Sequence, residues 1–283
     1  MRRSTTTDRA GLRAAVIRAK GPAVALVATA LAVALPAARA QAAAEWIYRP
    51  LTLPRGDIAL DLGLGYGHEP AGPTDASGSI DGFGMNLEIA AGVTHDLELG
   101  FRTGVRFDDG GQATQADRYG RPFDTETYGI RFDRLANPEL RLVWTVARGA
   151  NVMLGLGLRF YLPIEAGSRF GLMPEVPLTF RAGSVRIDTG LYVPIVFYDP
   201  TETFVSIPFH LWIQASPSFW LGPLTGIRLD NPGNHTAVAF GFGFGWMVSR
   251  PVDLRTWFLF PDLNHDAAAR TFGAGLALQI RFE

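Results

Sequence analysis

Residues 83–93 read Phe83-Gly84-Met85-Asn86-Leu87-Glu88-Ile89-Ala90-Ala91-Gly92-Val93. Apolar side chains occupy every odd position, and Gly, Asn, Glu and Ala fill the even ones. A period of two places these sets on opposite faces of an extended strand, where a helix would need a period near 3.6. The stretches on either side follow the same rule. Ile58, Leu60, Leu62, Leu64 and Tyr66 oppose Asp57, Ala59, Asp61, Gly63 and Gly65, and Leu97, Leu99, Phe101, Thr103, Val105 and Phe107 oppose Glu98, Gly100, Arg102, Gly104 and Arg106.

The code continues through 140–146, 152–162, 176–182, 185–197, 205–215, 219–229, 238–248, 254–260 and 272–282. Twelve strands are predicted. The least regular is 219–229, because Pro223 lacks a ladder donor. Tyr128 to Phe132 is read as an extension of the fourth strand, with Pro138 interrupting it, because an even total returns both termini to one side. Connections alternate between short (near 94–96, 149–150, 183–184, 216–217 and 250–251) and long (67–81, 108–126, 163–172, 199–203, 230–236 and 261–269). Transmembrane barrels alternate tight periplasmic turns with longer outer loops in this way.

The first forty residues are read as a cleaved signal peptide. Arg2, Arg3, Arg9, Arg13, Arg18 and Lys20 precede an apolar run from Ala23 to Leu35, and Ala38-Arg39-Ala40 supplies a small-x-small cleavage site. That run is shorter than the ~20 residues a helix needs to span a bilayer. Residues 41–56, with Trp46, Tyr48, Pro50, Pro54 and Gly56, form a short lead-in that caps the barrel, enters it or tethers it, and residues 57–283 form the barrel itself.

Beyond residue 40 the chain carries 19 Arg, no Lys and 26 Asp plus Glu, a net charge of −7, which disfavours a nucleic-acid partner. No later stretch of about eighteen residues is uncharged and apolar, so any membrane crossing is by strands. Alternation alone does not say which stripe meets water. The second stripe is rich in Gly and Ala, which suit a crowded lumen, and the apolar stripe is free of charge, as expected where Arg or Lys at the bilayer midplane costs ~2–4 kcal/mol. Aromatic residues near strand ends (Tyr66, Phe83, Phe107, Trp144, Trp246, Phe260) suit interfacial girdles. The fold expected is all-β: an antiparallel up-and-down transmembrane barrel in the outer membrane of a Gram-negative bacterium, with periplasmic termini.

The last strand, Leu276 to Glu283, resembles the C-terminal signal of outer-membrane barrels, which ends in an aromatic residue, here Phe282, with Glu283 one residue beyond the pattern. That resemblance implies the barrel-assembly machinery as a partner, beside outer-membrane lipid and lipopolysaccharide. Residues 92–100 (Gly92-Val93-Thr94-His95-Asp96-Leu97-Glu98-Leu99-Gly100) and 156–163 (Leu156-Gly157-Leu158-Arg159-Phe160-Tyr161-Leu162-Pro163) resemble the outer-membrane transporter family named after the meta-pathway of phenol degradation. The resemblance implies a small barrel associated with passage of organic solutes.

The recurring candidates for chemistry are charges on the inner stripe: Asp61, Glu88, Glu98, Arg102, Arg106, Glu139, Arg141, Arg159, Arg181, Arg186, Asp188, Arg255 and Arg281. Counting from the short turns places Asp61, Glu88, Arg102 and Arg141 near mid-depth on four consecutive strands. They form either a selective constriction or a salt-bridge ladder that pins a closed barrel. His210 shares the inner stripe with Ser206 and Gln214, but a spacing of four along a strand is ~13 Å, too far for a Ser–His hydrogen bond. No catalytic, metal or cofactor site is expected. Asp262-x-Asn264-x-Asp266 lacks the Gly of a calcium loop, and Gly241-x-Gly243-x-Gly245 lies within a strand, not before a helix. The function expected is passive diffusion of small solutes, apolar ones included, through a non-enzymatic channel. A closed structural or surface-interaction barrel is the alternative, and an outer-membrane hydrolase the third reading.

Overall fold

The computed structural model describes residues 46–70, 79–106, 135–163, 170–197, 201–231, 236–264 and 271–283. Thirteen strands follow a single turn of 3-10 helix at Trp46–Tyr48: β1 (Ile58–Pro70), β2 (Ser79–Gly92), β3 (Leu97–Arg106), β4 (Leu135–Arg148), β5 (Val152–Tyr161), β6 (Gly171–Ala182), β7 (Val185–Tyr192), β8 (Ile195–Val196), β9 (Glu202–Ser216), β10 (Phe219–Asn231), β11 (Thr236–Ser249), β12 (Val252–Phe260) and β13 (Phe272–Phe282). β7 and β8 lie end to end between β6 and β9 and make one stave, so the barrel has twelve. Every pairing is antiparallel and joins consecutive staves, and β13 closes the ring on β1 from Phe282 opposite Ile58 to Phe272 opposite His68. Closure leaves no sheet edge, which is the condition for strands to cross a bilayer.

Prolines explain where the staves depart from the expected pattern. The stretch 185–197 was expected as one strand, but Pro194 has no N–H to donate, and the ladder breaks between β7 and β8. Pro138 was expected to interrupt β4. Instead β4 runs through it, and the register to β3 shifts between Arg102 and Gly104 so that Ala136 and Glu139 pair while the proline sits in the irregularity. At Pro223 the pairing of β10 to β9 passes from Leu221 opposite Ile213 to Leu224 opposite His210, so the missing donor falls in the gap. The expected signal peptide, the extension at Tyr128 to Phe132, and Asp266 lie outside the described residues.

Five tight turns, near 93–96, 149–151, 183–184, 217–218 and 250–251, gather at the end that also holds Asp57 and Glu283. On the outer face, Leu99, Phe101, Leu142, Trp144, Leu156, Phe209, Ile227, Phe242, Phe244, Trp246 and Phe258 are exposed, forming an apolar belt with members on strands around the barrel. Soluble monomers do not expose a continuous surface of this kind, and lipid is the solvent it suits. Side chains of the opposite parity are buried inside the ring.

Candidate functional site

The interior has two different flanks. On β3 to β6, ion pairs link neighbouring staves into one alternating series. Arg141 Nε donates to Glu175 Oε1 at 2.9 Å, and its Nη1 lies 3.8 Å from Glu98. Arg159 reaches Glu175 at 3.4 Å and Glu139 at 3.2 Å, and Arg102 lies 4.0 Å from Glu139. The series therefore runs Glu98, Arg141, Glu175, Arg159, Glu139, Arg102, with each carboxylate beside a guanidinium. Register carries it onward, since Glu88 is the cross-strand partner of both Arg102 and Asp61. Asp61 accepts hydrogen bonds from Arg255 and, at 2.9 Å, from Gln279, tying β1 to β12 and β13 across the closing seam. Buried charges are tolerated only when paired in this way.

On β9 to β13 an aromatic and apolar cluster shares the inner face with polar groups: Trp212, Trp220, Leu224, Ala239, Met247, Trp257, Leu259 and Ala277 pack together, beside buried His210, Gln214, Asp253, Arg255 and Gln279. The indoles of Trp220 and Trp212 lie over Gly245 and Gly243, and a Cβ at Gly245 would overlap the Trp220 ring. The glycine run of β11 is thus a socket for rings.

Between the flanks lies the lead-in. Residues 46–54 occupy the bore at the short-turn end instead of hanging free as a tether. The Trp46 ring stacks on Trp220 at 4.7 Å and 8°, and meets Trp212 edge-on at 5.6 Å. Arg186 places its guanidinium 4.9 Å from the Trp46 ring centre and donates to the Arg49 carbonyl at 2.9 Å. The Ile47 N–H donates to Gln214 at 3.3 Å, Arg49 is ion-paired with Asp253, Thr52 and Thr145 share a hydroxyl hydrogen bond of 2.9 Å, and the Leu53 N–H donates to Glu98 at 2.8 Å. Leu53 packs with Ala59 and Ala90, and the Pro54 carbonyl passes so close to Gly92 that no Cβ would fit there. As a result the bore is filled: Trp220, Leu224 and His210 are 0% exposed, and Glu98, Arg159 and Glu175 are 1% exposed.

Of the candidates read from sequence, Asp61, Glu88 and Arg102 fall on one register line, and Arg141 stands opposite Gly100, two positions along β3 from Arg102. Glu98 and Arg159 belong to the same ion-pair series. Arg186 and Asp188 pair with each other at 2.9 Å nearer the short-turn mouth, where Asp188 also accepts from Thr179. Arg181 is half-buried and donates to the Tyr48 carbonyl. His210 lies opposite Asp188 and edge-on to Trp212. The backbone of Arg106 pairs with Gly84, but its side chain lies outside the described residues. Asp262 accepts hydrogen bonds from the Val238 N–H of β11 and from the Asn264 N–H of its own loop.

Sequence reasoning missed Glu175 and Asp253, each of which stands one residue before the point where alternation made its strand visible. It named Trp46 in the lead-in but not its stacking partner, and it missed the anchors Arg49 and Thr52, which no periodicity marks. Among the described residues, no group of three or more His, Cys, Asp or Glu could hold a metal ion, and no helix is long and apolar enough to cross a membrane.

No family model matches the chain, and no curated protein matches it in sequence. Solved structures match its fold. An outer membrane channel from Pseudomonas putida F1 superposes with a TM-score of 0.58 at 11% identity, covering 83% of this chain and 99% of that one. The NanC porin gives 0.55 at 8% identity over 78% and 98%, and the KdgM porin 0.51 at 6% over 80% and 99%. The fold is that of outer-membrane β-barrels of the porin and channel type.

Proposed function

We propose that the protein is an outer-membrane channel for small solutes, apolar ones included, that works by passive diffusion with its short-turn end facing the periplasm. The observation that carries this reading is that the barrel needs a guest. About eight strands make a barrel that its own side chains can fill, and bore grows with strand number. Here twelve staves leave room that residues 46–54 fill. A barrel selected only as a rigid wall has no need of that space. The fold shared with porins and channels supports the same reading, as does the family resemblance of residues 92–100 and 156–163, which favours organic solutes. The outer belt would contact lipid and lipopolysaccharide, and the β13 strand ending at Phe282 would present the assembly signal.

The competing reading is a closed structural or surface-interaction barrel, and the burial of the ion-pair series favours it. Reconstitution of the mature chain separates the two. Single-channel steps in planar bilayers, together with liposome swelling in small organic solutes, are expected from a channel. Folded, heat-modifiable protein that passes neither ions nor solutes would sink the channel reading.

A further inference from the structure

We propose that residues 46–54 are a displaceable plug, a gate that leaves the bore as a unit through the short-turn mouth while the wall stays intact. This proposal rests on the channel reading above. Three features of the structure support it.

First, the segment is attached to β1 through a joint. Gly56 has φ +90°, a conformation side chains rarely adopt, with open space around it, and Pro54 and Arg55 are exposed. Second, no residue of the segment belongs to a strand. It is held by separate contacts, among them the Trp46 stack, the Ile47 bond to Gln214, the Arg49–Asp253 pair, the Thr52–Thr145 bond, the Leu53 bond to Glu98, and the hydrogen bonds that Arg186 and Arg181 donate to the Arg49 and Tyr48 carbonyls. Releasing them opens no β ladder.

Third, the wall keeps its charges paired, Asp253 excepted, when the segment leaves. Glu98 retains Arg141, Asp61 retains Arg255, and Asp188 retains Arg186. Among these carboxylates Asp253 alone has its ion-pair partner, Arg49, on the segment, and it is buried, 1% exposed, one residue into β12 from the turn at 250–251. A buried ion deprived of its partner opposes opening. That one pair therefore latches the closed state, while these other ion pairs of the wall do not involve the segment.

The chain contains no cysteine, so a covalent lock can be added without background. With their hydroxyl oxygens 2.9 Å apart, Thr52 and Thr145 suit a disulfide. The double variant Thr52→Cys/Thr145→Cys would be compared, oxidised and reduced, with a variant whose residues 46–53 are replaced by a Gly/Ser linker of equal length. All would be mature, heat-modifiable barrels in planar bilayers and in liposome swelling with small organic solutes. The plug predicts that oxidation lowers mean current or solute flux by about ten-fold or more, the size of shift a lock imposes on an open–closed equilibrium. Reduction restores the flux, and the linker variant passes more than the reduced form. If locked, reduced and linker proteins conduct equally, the plug is wrong and the channel stands. If all three are folded yet pass neither ions nor solutes, the channel reading fails and the plug fails with it.

Discussion

The two flanks of the bore obey the same alternation but solve opposite problems. On β3 to β6 long charged side chains pair with one another across staves, from Glu98 through Glu175 to Arg102. On β11 glycines alternate with outward Phe and Trp, and with the inward rings of β9, β10 and β12 they form a socket in which Trp46 stacks on Trp220. One flank therefore pairs its charges within the wall and gives the visitor hydrogen bonds, among them those at Glu98 and Thr145, whereas the other stacks its rings on the visitor. Parity fixes which side chains face inward; their chemistry decides whether the wall is self-sufficient.

The sharpest way to break this contrast is Glu175→Leu. Glu175 is shared by Arg141 and Arg159, so its loss leaves two buried guanidinium groups short of a carboxylate and should destabilise the barrel by ~3–5 kcal/mol. The urea midpoint of the heat-modifiable band measures this, and an unshifted midpoint would mean that the series is hydrated and not self-supporting. Next comes Leu87→Arg, one residue from Glu88 but on the lipid face, expected to cost ~2–4 kcal/mol and to reduce membrane assembly. Normal yield and migration would reverse the parity of both flanks.

A smaller effect sharpens the aromatic side. A double-mutant cycle with Trp46→Ala and Trp220→Ala should give a coupling of ~0.5–1.5 kcal/mol, the range for a stacked ring pair. Coupling near zero would show that the socket does not hold its guest. The smallest concerns the rim. Partial burial, then the nearby Glu283 carboxylate, raise the pKa of Asp57. The folded state then binds this proton more tightly than the unfolded chain. Stability should therefore fall slightly as pH rises from the ordinary carboxylate value through the raised one. Asp57→Asn should flatten that slope in melts across the acidic range, and an unchanged slope would assign it elsewhere.

The staves were legible in sequence because a two-residue period reports on each residue's own neighbours. Leu87 and Glu88 identify outside and inside without reference to the rest of the chain. The inward charges follow from the same rule, and so does the pairing of Glu88 with Arg102, because the short turn between β2 and β3 fixes their offset. What could not be read depends on contacts between segments far apart in the chain. Thr52 meets Thr145 and Arg49 meets Asp253, pairings that no local pattern announces. Pro138 was misjudged because its cost depends on whether the facing strand can shift register, which β3 does.

The six tryptophans offer the most direct test. Trp144 and Trp246 are each 52% exposed on the outer belt, whereas Trp46, Trp212, Trp220 and Trp257 are buried inside the ring. In liposomes containing brominated lipid, emission from Trp144 and Trp246 should be strongly quenched. A Trp144→Phe/Trp246→Phe variant, retaining only the four inner indoles, should be quenched little by the lipid and little by aqueous acrylamide. Strong lipid quenching of that variant would put the aromatic flank outside and overturn the barrel's orientation; strong acrylamide quenching would show an open, watery bore where the structure has a filled one.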